Sequence, residues 1–435
     1  MLAEVKKTNP WLVMGAEIAL PGGTRRYSDV PYIQPGVGLF APKVRAGSWG
    51  MISKSISDTR FNLESRETSF ELIDTDRSFS RLLEGQLGPS VRRSAATFKL
   101  MSPRVAYADA RTLFTGVLDT WEQNGLNWIL RFRQNDLPLF RETPKLLITP
   151  NDFPNADPEV FGQAVPEIWG IHSSVGLGNA GMVPCPLVDS LEYRYLVQRG
   201  WAHAVPRVYA DDTLVSSGYV ILRDNFINGR MYTLIDFASD QGDAVITADV
   251  HGYETVGDGS GTLIENPATV LKHWLVNFVW NDVPSGIWLS DSAAPIDTTW
   301  FAAAEAYFNA LSVKAAIRIA SEEEAGRRLD SFCESFQIPA FWTDLGKLAI
   351  RPRPIHETSI YKTGRESWIR DFLDDLENSL RLGTESDGIL DQLLVKYCHG
   401  ATAGEFLQTL DLRNPSLDEE ATETLDMPWS ASYVV

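Results

Sequence analysis

Cysteine is nearly absent. The chain has three, Cys185, Cys333 and Cys398, far apart and with no CxxC pair. That excludes a zinc ribbon and an iron–sulfur signature. An odd, sparse count fits assembly in a reducing compartment, with each thiol serving as a small buried hydrophobe. Histidine is also scarce: His172, His203, His251, His273, His356 and His399. No two stand at HxH or HxxxH spacing and HExxH is missing, so no metal-ligating residue is nominated. The densest local group, Asp249, His251 and Glu254 in ADVHGYE, is read as structural. There is no G-x-S-x-G elbow. Cys185 lies between two prolines in VPCPL, away from the helix N-terminus that would activate a thiolate.

GLGNAG at 176–181 has GxGxxG spacing, but Pro184 and Pro186 follow where a dinucleotide site needs a helix. GDGSG at 257–261 lacks the Lys-Ser/Thr of a phosphate loop. The 57 acidic residues always supply carboxylate pairs, but sequence spacing does not set the separation a glycosidase requires. No catalytic or cofactor-binding residue is therefore nominated, no cofactor is expected, and the chain is expected not to be an enzyme.

Long apolar runs are missing too. Leu271–Trp280 is interrupted by Lys272, His273 and Asn277, whereas a membrane helix needs ~20 apolar residues. The opening MLAEVKKTNPWLVMG places Lys6 and Lys7 before an apolar patch too short for a signal peptide. Positive charge is in short supply: 39 Lys plus Arg face 57 Asp plus Glu, for a net charge of -18. Such a surface repels phosphate and anionic lipid, so neither specific nucleic-acid binding nor membrane binding is expected. From Asp371 to Val435, 14 acidic residues face 3 basic ones, a net of -11. This segment reads as a solvated surface or as a dock for a basic partner.

The 435 residues, 44% hydrophobic and 22% charged, form an ordinary globular chain of several domains. The fold class is expected to be α+β, mainly antiparallel β, with two small β-barrel or sandwich domains and a helix-containing α+β module. Residues 1–34 read as an irregular arm with one strand, Trp11–Leu20. Residues 35–145 form the first β domain. Within it Asp74 or Thr75 caps a short helix at 77–84, and LFTGVLDTW and WILRF form a hairpin around Asn124-Gly125. Residues 146–190 are a Pro/Gly-rich crossing without periodicity. Phe153, Phe161, Ile168 and Trp169 in it are expected to pack on a neighbouring chain, with Trp169→Ala weakening assembly but not the fold. Residues 191–265 are a second β domain of short strands separated by Asp/Asn/Gly turns. Residues 266–365 are the α+β module. Asn266-Pro267 and Asp297 open its first two helices, Val313–Ile319 is a strand, Ser321 caps a third helix, and PAFWTD and KLAIRP form a hairpin. Residues 366–435 are an acidic segment with a helix at 367–380, strands at 392–398 and 405–412, and an irregular end. The turn tryptophans Trp49, Trp121, Trp169, Trp201, Trp300 and Trp429 read as core residues, as interface anchors or, third, as exposed sugar platforms.

The order of these pieces resembles a known family. LFTGVLDTWEQNGLNWILRFRQN is followed by AVPEIWG at 164–170, then VPRVYADDTLV, the helix NPATVLKHWLVN and FWTDLGKLAIRPRP. Over roughly 65–415 this is similar to tail-tip and baseplate hub proteins of long-tailed bacteriophages and gene-transfer particles. Trp169 stands where such segments more often carry Tyr. The resemblance implies a structural virion component at the tail tip, assembled in the host bacterial cytoplasm. It implies a homotrimer whose two β domains mimic six-fold symmetry. It further implies distal tail or tail-tube proteins, other tail-tip or fibre proteins and the tape-measure protein as partners. Many relatives continue into fibre or host-binding domains, functions expected here on another chain. In that setting the acidic segment lines a lumen or faces outward, and neutralising Asp418, Glu419 and Glu420 is expected to leave assembly intact. A carbohydrate- or receptor-binding protein and a cell-wall hydrolase are the alternative readings.

Overall fold

The computed structural model describes residues 12–34, 36–50, 52, 66–84, 91–175, 181–283 and 288–352. It also describes the backbone of four strands, Gln392–His399, Phe406–Arg413, Thr422–Asp426 and Ser430–Tyr433. The class is α+β, dominated by antiparallel sheet.

The N-terminal unit is an eight-stranded sheet. Its order is Tyr32–Gln34, Gly38–Pro42, Gly23–Ser28, Val13–Leu20, Ala95–Met101, Arg111–Asn124, Asn127–Arg133 and Glu67–Ile73. Residues on alternate positions build its aromatic core. Phe70 stacks on Phe132 at 5.5 Å, and Phe98 meets Phe114 and Phe132 edge-on at 5.6 and 5.0 Å. Two expectations are corrected here. The strand expected at Trp11–Leu20 is present as Val13–Leu20, but it belongs to the sheet and not to an irregular arm, because it pairs on one side with Gly23–Ser28 and on the other with Ala95–Met101. Pro21 and Gly22 (φ 89°) make the tight turn that folds the first pair back. Nor does strand pairing close the sheet into a barrel among the described residues. The end strand Glu67–Ile73 is instead tied to the irregular segment after Gly38–Pro42: Val44 forms an isolated bridge with Leu72 and donates to Ser28 O, and Arg45 donates to Glu71 O. In the long hairpin, Asn124 pairs with Asn127, so the loop is Gly125-Leu126, one residue later than Asn-Gly suggests. The short helix is Ser78–Glu84, and the Asp74 carboxylate takes the N–H groups of Phe79 and Ser80 at 2.9 and 2.8 Å.

The second β unit is two sheets packed face to face. One contains Ile171–His172, Val183–Pro184, Ile246–His251, Ala204–Ala210 and Thr213–Val215. The other runs Leu187–Asp189, Arg194–Arg199, Arg230–Phe237, Tyr219–Ile227. Tyr195, Val197, Ile235 and Phe237 face the first sheet. Leu196, Tyr232 and Leu234 point the other way, into a cluster with Leu146, Ile148, Phe153 and Val165 of the crossing segment. The inner strands are thus buried on both faces, which explains their near-continuous apolar text. The crossing is therefore the second cover of this chain's own sheet. Phe153, Ile168 and Trp169 are buried within one chain and Phe161 is half-buried against the same cluster, which corrects their assignment to a neighbouring subunit.

In the third unit the helix Pro267–Trp274 continues into a π-helical end, Leu275–Trp280. The Asn266 side chain caps it, accepting from Ala268 N, and Asp297 likewise caps Thr298–Ala310. The third helix begins at Ala325, not at a Ser321 cap, because Glu323 and Glu324 pair as strand with Glu142 and Thr143. Ala340–Trp342 and Leu348–Ile350 form the expected hairpin. The strand Val313–Ile319 pairs with Glu167–Trp169 on one edge and with Ser430–Tyr433 on the other, so the acidic end is not wholly irregular. The helix expected at 367–380 lies outside the described residues, as do Trp429 and the acidic triplet 418–420.

Candidate functional site

Pro166 opens and Gly170 closes a three-residue strand, Glu167–Ile168–Trp169, in which every residue is buried. Alternation places Ile168 in the core of the two-sheet unit and Trp169 in the helical core. The strand is bonded on both edges: Glu167 to Trp169 pair with Ile319 to Ile317, while Ile168 O accepts from Tyr253 N at 2.8 Å. Gly170, at φ 73°, continues the join, donating to Ile264 O and accepting from Gly252 N.

The Trp169 ring lies 4.9 Å from Tyr253 and 5.5 Å from Phe278. Its Nε1–H donates to His273 Nδ1 at 3.0 Å. Burial holds the His273 imidazole neutral, its pKa down to about 3, with Lys272 adding to the effect. A neutral ring is the form that accepts this bond. Sequence reading singled out Trp169 but not its partner.

Behind Trp169 lies a buried ionic cluster that sequence reading missed. Both Glu167 oxygens lack a hydrogen bond, and burial lifts its pKa to about 8 against the opposing pull of Arg199 and Arg328. The buried Arg199 donates from Nη2 to Asp282 Oδ1 at 2.5 Å and Val283 O at 2.6 Å, and its Nη1 stands 3.9 Å from Glu167 Oε1. Its guanidinium lies 5.2 Å from the Phe278 ring centre. Lys145 donates to Val279 O and Asn281 O, satisfying carbonyls at the end of the π-helix. The signal in the sequence was a glutamate inside the apolar run AVPEIWG.

The ADVHGYE residues do not form one site. Asp249 is buried and accepts from Ser173 Oγ, Ser174 N and Tyr209 OH at 3.2, 2.7 and 3.3 Å, which pins the end of the crossing to the sheet. Glu254, also buried, accepts from the Gly259 amide and lies 3.3 Å from His203 Nδ1, so the GDGSG turn wraps a carboxylate of its own chain. His203 and His251 stack at 6.5 Å. Burial holds His172 down at about pKa 4. Among the described residues no three of His, Cys, Asp and Glu gather as a metal site. His356 and the side chain of His399 lie outside the described residues, as do 176–180 of the Gly-rich segment.

Two open grooves flank the junction. One, about 520 Å³, is lined by Pro184, Cys185, Pro186, Tyr195, Val245 and Arg318. The other, about 460 Å³, is lined by Lys145, Thr149, Asp152, Asn228 and Arg230. Burial raises the Cys185 thiol to about 12, so it stays protonated and is a poor nucleophile. Cys333 is buried too, and the Cys398 side chain lies outside the described residues. Of the turn tryptophans among the described residues, Trp49 packs on Phe70 and Phe98, and Trp300 is the most exposed, set edge-on to Phe341. No helix among the described residues is long and apolar enough to cross a membrane.

The sequence matches no protein-family model and no curated protein. Among solved structures, the chain is similar to one described as "Virion of native gene transfer agent (GTA) particle". The two are 16% identical, the match covers 57% of this chain and 82% of that one, and the TM-score is 0.24.

Proposed function

We propose that the chain is a structural virion component, a tail-tip or baseplate hub subunit that works as a trimer and joins the tail tube to the tip. The observation that supports this most is where the hub-like segments meet. AVPEIWG contributes Glu167 and Trp169, and NPATVLKHWLVN contributes His273, the acceptor for the Trp169 indole. GKLAIRP contributes Leu348 and Ile350 to the same core. These segments, recognised by their order in the sequence, build the junction that holds the two-sheet unit to the helical module.

A ring-forming subunit needs such a junction. In a closed ring every subunit repeats the same angle between its surfaces, so a small angular error accumulates and prevents closure. A strand with one face in each core, bonded on both edges, fixes that angle. The N-terminal sheet is tied to the same body, since Arg66 pairs with Asp344 at 3.1 Å. On this reading the two β units offer related surfaces to a six-fold tube. The partners are distal tail or tail-tube proteins, other tip or fibre proteins and the tape-measure protein.

Light scattering on the purified chain tests the trimer. The expected mass is about three times the 48.4 kDa of one chain, held across a tenfold dilution. A clean monomer at all concentrations that also fails to bind tail-tube or distal tail proteins would count against a hub.

A further inference from the structure

We propose that Arg199 is a counter-ion shared between two carboxylates, and that ionisation of Glu167 draws it off Asp282 and loosens the end of the π-helix. The geometry is that of a two-position clamp. One nitrogen of the guanidinium holds Asp282 and Val283 O, while the other stands 3.9 Å from Glu167, short of a hydrogen bond. A shift of about 1 Å would complete that bond.

The two carboxylates are differently placed. Glu167 is sealed and its oxygens have no donor, so a charge there is very costly until a cation moves to it. Asp282 is partly exposed and keeps Arg230 at 3.8 Å, so it stays charged without Arg199. The other groups facing Glu167 are Arg328 from the helix Ala325–Phe336, Lys145 from the crossing and the Tyr253 hydroxyl. Lys145 and Arg328 are already bonded, to Val279 O and Asn281 O and to Ser321 O respectively. Arg199 is bonded as well, and Arg328 Nε has no hydrogen-bond partner among the described residues, but Arg199 Nη1 at 3.9 Å is the one of these cations within 4.0 Å of a Glu167 oxygen and so has the least distance to travel.

Release of Asp282 and Val283 frees the chain directly after the π-helix. What remains there is Lys145 on Asn281 O, the Asn281 side-chain amide on Val276 O and Ala293 O, Val283 N on Asn277 O, and the longer Arg230–Asp282 pair at 3.8 Å. The sign follows from the raised Glu167 pKa of about 8. The folded chain holds a proton that the unfolded chain releases near the ordinary carboxylate range. The clamp is fully set at low pH and is lost as pH rises through about 8.

Hydrogen exchange on the full-length chain, read as protection factors for amides 276–283 between pH 6 and 9.5, tests this. In the wild type protection should fall about tenfold per pH unit on approach to pH 8 and level off above it. Glu167→Gln keeps the neutral shape and should remove the fall. Asp282→Asn leaves Arg199 to Glu167 alone and should move the fall at least one pH unit lower. Flat protection in the wild type, or an unchanged fall in the glutamine variant, overturns the proposal. Should that variant not fold, Asp282→Asn decides: an unmoved midpoint refutes the shared counter-ion and a lowered one supports it.

Discussion

Trp169→Ala is expected to cost the folded chain about 3–5 kcal/mol, the range for removing a large aromatic side chain from a core. The indole is wholly buried in a single chain, against Tyr253, His273 and Phe278, so its loss leaves a cavity in the helical core. It also strips His273 Nδ1 of its donor, leaving a buried acceptor unmet. This reverses the expectation from sequence that the change would weaken assembly and spare the fold. Denaturant unfolding of the chain decides between them. A midpoint equal to wild type, with assembly lost, would mean that Trp169 serves assembly and not the fold.

Gly170→Ala is expected to prevent folding of the junction altogether. At φ 73° an added Cβ costs about 1–2 kcal/mol in local strain alone. That Cβ would also lie 2.0 Å from Ala315 O, a backbone atom in the sheet partner of the 167–169 strand. Relief requires the two strands to part, which opens both cores that the strand joins. Gly125→Ala is the control, because it also has positive φ but has nothing within 4 Å of the added carbon. The control should fold and lose about 1–2 kcal/mol, while the Gly170 variant should be insoluble or lack native circular dichroism. Native-like spectra and melting for Gly170→Ala would refute this account of the junction.

Much of the fold was legible because its signals are local. The strand Val313–Ile319 has the limits its alternation implies. Asp74, Asn266 and Asp297 cap helices as their side-chain chemistry dictates. The crossing was opaque for a physical reason. Its strands are two or three residues long, too short for any period, and Glu167–Trp169 is buried on both faces. What orders it is tertiary: bonds from Tyr253, Ile264 and Gly252, far along the chain. The same holds for the site. Trp169 attracts notice by residue type. Glu167, Arg199 and Asp282 stand 32 and 83 positions apart in sequence and gain meaning only when the fold brings them together. The Ser321 cap failed because a tertiary strand pairing with Glu142 outcompeted a local helix start.

The central claim, a structural place in a virion, is tested most directly by labelling. The chain would carry a small C-terminal epitope tag in the cells that produce the particles, and gold-conjugated antibody would be imaged on purified particles by electron microscopy. The hub reading predicts gold at the tip of the tail in threefold-consistent stoichiometry, with none along the tube or on the head. Intact particles that contain none of the tagged chain, by imaging and by immunoblot of dissociated particles, would contradict it.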